Sequence, residues 1–116
     1  MGYDPTFQQI IITGRVAKKP SFKYLPNAKA VVNFALIVNR KGRNGADYIP
    51  CVAWAEKAKL VADMCDKGTL LEVQGELRSH TFKDNEQRDQ FELQLELSPF
   101  GIFNVHSRNQ GEEKAE

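Results

Sequence analysis

The sequence predicts an all-β domain, a small five-stranded barrel with one helix between the third and fourth strands. Apolar residues alternate with polar ones, or run continuously, in five separated segments. Only Ala55 to Asp66 switches to helical spacing. A third observation is Gly14, which interrupts the first apolar run and allows the bend, bulge or close backbone approach that strong curvature needs.

After a polar lead-in from Met1 to Thr6, Phe7 to Val16 reads as the first strand, with Ile10 and Ile12 alternating against Ile11 and Thr13. Ala17 to Ala28 holds Lys18, Lys19, Pro20 and Pro26, so it does not continue as a regular central strand. Phe22 and Tyr24 share a parity across its short extended piece, Ser21 to Leu25. They support a subunit contact, pack under the loop or stack on a base, and pattern alone does not choose. From Ala30 to Arg40 both parities are apolar, which is the signature of a central strand with little wet surface. Arg40, Lys41 and Arg43 then sit with Gly42, Asn44 and Gly45 in a basic turn. In the third strand, Tyr48, Val52 and Trp54 share one face and Ile49, Cys51 and Ala53 the other, so the aliphatic set faces a core and two large rings face elsewhere. Pro50 lacks a ladder donor and calls for a bulge, an edge position or a strand start just after it.

The helix places Ala58, Val61 and Cys65 on one side and leaves Glu56, Lys57, Lys59 and Asp63 wet, with Lys67 and Gly68 at its C-terminal end. Thr69 to Ser79 returns to strand period, with Leu71, Val73, Gly75 and Leu77 on one face. A charged turn, Lys83 to Asp89, joins it to a last long strand in which Phe91, Leu93, Leu95 and Leu97 alternate with polar residues. The resulting hairpin is expected to project as an arm with Phe82 near its base. Pro99 ends that strand, and Phe100, Ile102, Phe103 and Val105 close the core or meet another subunit. Residues 1–105 are read as one domain and 106–116 as a polar, disordered tail.

With 116 residues, 41% hydrophobic and 9% aromatic, the chain suits one folded domain and leaves no room for two. No stretch reads as a membrane span or a secretory signal, so a cytoplasmic location and no membrane partner are expected. Cys51 and Cys65 read as small buried thiols, and with only His80 and His106 besides there is no metal-ligand cluster. A phosphate-gripping glycine loop, a GxGxxG, a serine elbow and a metalloprotease pattern are all missing from the sequence, so neither enzymatic activity nor a cofactor is expected. Strands three, one helix, strands two is the order of an oligonucleotide-binding barrel, the OB-fold, rather than of a Rossmann-like fold.

The net charge of +1 hides a division: Pro5 to Ala46 carries eight basic and no acidic residues, Asp47 to Phe103 six basic and eleven acidic. An anionic partner for the first half follows. Flat rings beside cations bind a single strand by stacking and phosphate contact, without reading sequence. The candidates are Tyr48, Trp54 and Phe82 for stacking, with Arg15, Lys18, Lys19, Arg40, Lys41 and Arg43 for phosphates and Arg78 and Lys83 extending the track. Each ring also has a structural alternative: Trp54 under the helix, Tyr48 beside the awkward Pro50, Phe82 at a core edge.

The opening FQQIIITGRVAKKP, the strand VVNFALIVNR and the segment DYIPCVAWAEKAKLVADMCDKGTLLEVQGELRSHTF resemble the bacterial-type single-stranded DNA-binding proteins over about residues 7–103. That resemblance implies an OB-fold that coats single-stranded DNA in replication, recombination and repair, assembled as a homotetramer, with a dimer as runner-up. It matches Tyr48, Trp54 and Phe82 to stacking positions and Arg15, Arg40 and Arg78 to basic ones. The loop from Lys41 to Ala46 is shorter than in many members and lacks an extra aromatic, and Pro50 replaces a residue that usually donates a strand hydrogen bond. Only NVHSRNQGEEKAE follows Phe103, without the long linker and acidic tip through which relatives recruit enzymes, so tail-mediated recruitment is not expected. The rival readings are an OB-fold adaptor similar to primosomal replication proteins and a single-stranded RNA-binding protein, since stacking does not distinguish the two sugars.

Overall fold

A computed structural model describes residues 2–107. Its elements are β1 (Ile10–Val16), β2 (Ser21–Tyr24), β3 (Ala30–Asn39), β4 (Ala46–Trp54), α1 (Ala55–Met64), β5 (Leu70–Lys83), β6 (Asp89–Leu97) and β7 (Phe103–Ser107). The expected five strands are present, but two short ones join them. Ser21–Tyr24 pairs with β3, and Phe103–Ser107 pairs with β5. The helix therefore follows the fourth strand rather than the third, and β7 includes the first two residues of the expected tail. Residues 108–116 of that tail lie outside the described ones.

Pairing runs β1 to β3, β3 to β4, β4 to β6 in parallel, β6 to β5, and β5 back to β1, a closed circuit of hydrogen-bonded strands. Closure depends on β1 changing partners. It pairs with β5 from Ile10 to Arg15 and with β3 at Arg15 and Val16. Gly14 lies at this change, and a Cβ there would stand 2.7 Å from the Ile37 carbonyl oxygen, so its lack of a side chain admits a close backbone approach.

Inside the circuit Val16, Val32, Leu36, Cys51, Ala53, Leu71, Val73 and Leu95 form a buried core, closed at one end by Ala58 and Val61 of the helix. β3 is buried on both parities from Ala30 to Val32 and again from Phe34 to Leu36, as its unbroken apolar run predicts. Each fully buried leucine, such as Leu36, Leu71 and Leu95, contributes on the order of 1.5–3 kcal/mol. Pro50 takes the edge solution: it pairs with Ala35 on the β3 side, while pairing with β6 begins only at Cys51.

Three local expectations change. Cys65 turns extended while its amide still donates to the Val61 carbonyl, so the helix stops at Met64 and no cation sits in its last turn. Gly68 does adopt φ +89°, but it serves the return to the sheet. Its amide donates to the Val16 carbonyl, and the Asp66 amide donates to the Thr69 hydroxyl. Lys57, expected to be wet, is buried with its amine 5.1 Å from the centre of the Phe103 ring; burial lowers its pKa.

Candidate nucleic-acid interface

Register decides which candidates share a surface, because directly paired residues project to the same side of a sheet. Tyr48 pairs with Ile37, and Ile37 with Arg15, so these three form one row across β4, β3 and β1. Val52, which shares a face with Tyr48 and Trp54, pairs with Glu96 of β6. Glu96 in turn shares its face with Glu92, and across the hairpin with Arg78, His80 and Phe82. The three predicted rings therefore lie on one continuous outer face. Tyr48 and Trp54 stand six residues apart on β4, about 20 Å along it.

Tyr48 is 58% exposed. It borders a shallow cavity of about 340 Å³ with Lys18, Lys19, Asn33 and Glu92, so the first loop brings its two lysines beside the ring. Phe82 is 45% exposed near the tip of the arm, not at its base, because β5 continues to Lys83. The His80 ring lies 5.6 Å from it, edge-on at 63°, and His80 Nε2 is 3.8 Å from Glu92. Asp84 shapes the tip. Its carboxylate accepts the amides of Glu86 and Arg88 and the Arg88 and Gln90 side chains, and the Arg88 amide above all holds its pKa below the ordinary range.

Trp54 is half-buried at the end of β4, and Lys29 places its amine 4.6 Å from the centre of the indole. The turn before β3 fixes that lysine. The Asn27 side chain accepts the Lys29 amide, the Lys29 carbonyl accepts the Leu25 amide, and Ala28 adopts φ +70°. Sequence reasoning passed over Lys29. Its one signal was that Val31, two residues on, pairs with Trp54, which requires the register to be known. Of the four apolar residues expected to close the core or meet another subunit, Phe103 and Val105 pack on the core, while Phe100 stands 99% exposed beside Trp54.

The cations divide into engaged and exposed ones. Arg40 donates twice to Asp47, at 2.8 and 3.1 Å; that hydrogen bond raises the arginine pKa and lowers the aspartate's. Arg78 bonds Glu96 at 2.9 Å and Glu76 at 2.8 Å, and its pKa rises chiefly through Glu96. Lys83 pairs with Asp89 across the hairpin, and Arg15 donates to the Gly68 carbonyl at 3.1 Å. Lys41 and Arg43 are exposed in the β3–β4 turn, and Lys18 and Lys19 are exposed beside Tyr48. The acidic second half is thus interleaved with the basic first half. Glu92 borders the Tyr48 cavity and Glu96 the Trp54 pocket.

Cys51 is buried and its thiol is pushed up to about 12 by desolvation, which makes it inert as a nucleophile at neutral pH. Among the described residues no three histidine, cysteine or carboxylate side chains gather as a metal site, and no helix is long and apolar enough to cross a membrane.

The profile of the family described as "Single-strand binding protein family" matches residues 7–103. A "Single-stranded DNA-binding protein" of Halalkalibacterium halodurans is 38% identical over 88 residues, covering 72% of this chain and 52% of the relative. "Single-stranded DNA-binding protein A" of Bacillus subtilis is 35% identical over 99 residues, covering 79% and 58%. A "Single-stranded DNA-binding protein" of Bacillus cereus is 39% identical over 80 residues, covering 65% and 47%. The chain spans about half the length of these curated relatives. With a match that takes in the arginine of β1, the aromatic strand β4, the helix and the whole hairpin, this chain belongs to the single-strand binding protein family.

Proposed function

We propose that this protein binds and protects single-stranded DNA, by base stacking and phosphate contact and without strong sequence preference, in DNA replication, recombination or repair. The observation that carries the reading is the common face of Tyr48, Trp54 and Phe82, each with a lysine beside it: Lys18 and Lys19, Lys29, and Lys83 respectively. The relatives' names point the same way. Closed pairing among β1, β3, β4, β6 and β5 is what an OB-fold barrel requires, with residues 1–105 as the binding domain.

Lys18, Lys19, Lys41 and Arg43 meet phosphates directly in this reading, and Arg15 joins them from the Tyr48 row. Arg40, Arg78 and Lys83 exchange a carboxylate for a phosphate, so they add less affinity per contact than exposed lysines. Binding involves no catalytic step and takes place in the cytoplasm.

A homotetramer, with a dimer as the runner-up, is the assembly that would use the exposed Leu77, Phe91 and Leu93 of the arm. Sedimentation equilibrium tests it. Phe91→Asp is expected to lower the order of assembly, and an unchanged order removes the arm from the contact.

The direct test of function is a titration with fluorescent poly-thymidine strands of increasing length, a matched duplex and RNA of equal length, at two salt concentrations, with Trp54 fluorescence read alongside. Tight, length-dependent and salt-weakened binding to DNA single strands, with Trp54 quenching, is expected. Equal weak binding to strand and duplex overturns the reading in favour of an adaptor, and preference for RNA replaces the ligand.

A further inference from the structure

A cavity of about 490 Å³ opens beside Trp54, between the start of the helix and the turn that follows β6. Its volume lies in the range of small-ligand pockets. Trp54 and Phe100 supply its rings, Lys29 an exposed cation and Lys57 a buried one drawn over Phe103, with Glu56 and Glu96 also in the lining.

Phe100 is the unusual member. A phenylalanine at 99% exposure gains nothing from the fold, yet the turn that carries it is held on both sides by Gln74. The Ser98 amide donates to the Gln74 carbonyl at 2.9 Å, and the Gln74 amide donates to the Ile102 carbonyl at 3.0 Å. The Ile102 amide donates to the Gln74 side chain at 3.3 Å. A Cβ on Gly101 would stand 2.9 Å from that of Ser98, so the turn closes tightly just behind the ring. An exposed ring on a braced turn is presented outward at little ordering cost on binding, which is what a stacking platform requires.

We propose that Trp54, Phe100 and Lys29 form a pocket for one unpaired nucleotide of the bound strand, its base stacking on the two rings and its phosphate on Lys29. This rests on the single-stranded DNA reading above and adds Phe100 and Lys29 to its contacts. Lys29 lies over the indole in the free chain. On binding, its ammonium moves to the incoming phosphate and uncovers the ring. Lys57 is drawn over Phe103 and Glu96 is held by Arg78, so Lys29 is the cation placed to take the phosphate, with the strand's backbone on its side of the pocket.

The test compares the full chain with Phe100→Ala, Phe100→Trp, Lys29→Gln and Tyr3→Ala in binding to fluorescent poly-thymidine over a range of salt. If the unaltered chain does not bind, the parent reading fails; every other outcome bears on the pocket alone. Phe100→Ala is expected to weaken binding about 5- to 150-fold, with Phe100→Trp restoring it and the melting temperature unchanged. Lys29→Gln is expected to reduce the slope of log affinity against log salt by about 0.7. Tyr3, 90% exposed and outside the pocket's lining, is the control and leaves affinity unchanged when truncated. Binding by Phe100→Ala within about twofold of the unaltered chain, or an equal loss in Tyr3→Ala, overturns the proposal.

Discussion

The β5–β6 hairpin is two structures along one ladder. In its inner half Leu71, Val73, Leu95 and Leu97 are buried, and Gly75 lies where β1, β5 and β6 meet. In its outer half Leu77, Leu93 and Phe91 continue the same alternation on the same face, yet all three are exposed. β1 ends its pairing with β5 at Gly75, and beyond it Gln8 reaches across, its side chain both donating to and accepting from the Leu77 backbone. Alternation therefore specifies which side of a strand is apolar, while cover comes from a neighbouring element that the strand does not encode.

That contrast breaks most sharply at adjacent leucines. Leu95→Ala is expected to cost about 2–5 kcal/mol and Leu93→Ala no more than about 0.5 kcal/mol, read by urea unfolding at a dilution where the subunits are separate. Equal losses would mean that the arm is covered within a single subunit. At the boundary itself, a Cβ on Gly75 would stand 2.3 Å from the Glu96 carbonyl oxygen. Gly75→Ala should cost about 1–3 kcal/mol, and a neutral result would show that the crossing yields easily.

On the outer half the expected effects move from stability to binding. Phe82→Ala is expected to weaken single-stranded DNA binding by about 1–3 kcal/mol while leaving the urea midpoint unchanged, as measured by anisotropy and unfolding on the same preparation. Among the cations, Lys41→Ala should lower the salt slope by about 0.7, and Arg78→Ala by less, because Glu76 and Glu96 already neutralise its guanidinium. Equal slopes would show that the two carboxylates do not neutralise Arg78 in the free protein.

The smallest effect is at the tip. Asp84 has a folded pKa below its ordinary value, so its contribution is present above about pH 4 and is lost as the pH falls through the depressed value. The melting-temperature gap between the unaltered chain and Asp84→Asn should be full at neutral pH and close in acid. A gap independent of pH would assign the turn to shape rather than charge.

Much of this was legible from residue order. The unbroken apolar run of β3, the two faces of β4, the helix that starts after Trp54 and the charged turn around Asp84 all stand where local pattern placed them, because period and turn chemistry are properties of neighbours along the chain. The short strands β2 and β7 were not called as separate strands, since each is held by a distant partner rather than by its own pattern. The same holds for Lys57, whose burial comes from Phe103, and for Arg40 and Arg78, whose carboxylates arrive across hairpins.

By itself the sequence determined the rings, the cations and the side of each strand on which they stand, since a two-residue period follows from backbone geometry alone. Only the tertiary structure decided that the rings share one face, that Lys29 and Phe100 accompany Trp54, and that acidic residues lie among the cations. Those facts depend on the parallel pairing of β4 with β6 and on the turn braced by Gln74, contacts between residues far apart in the chain whose register no local pattern specifies.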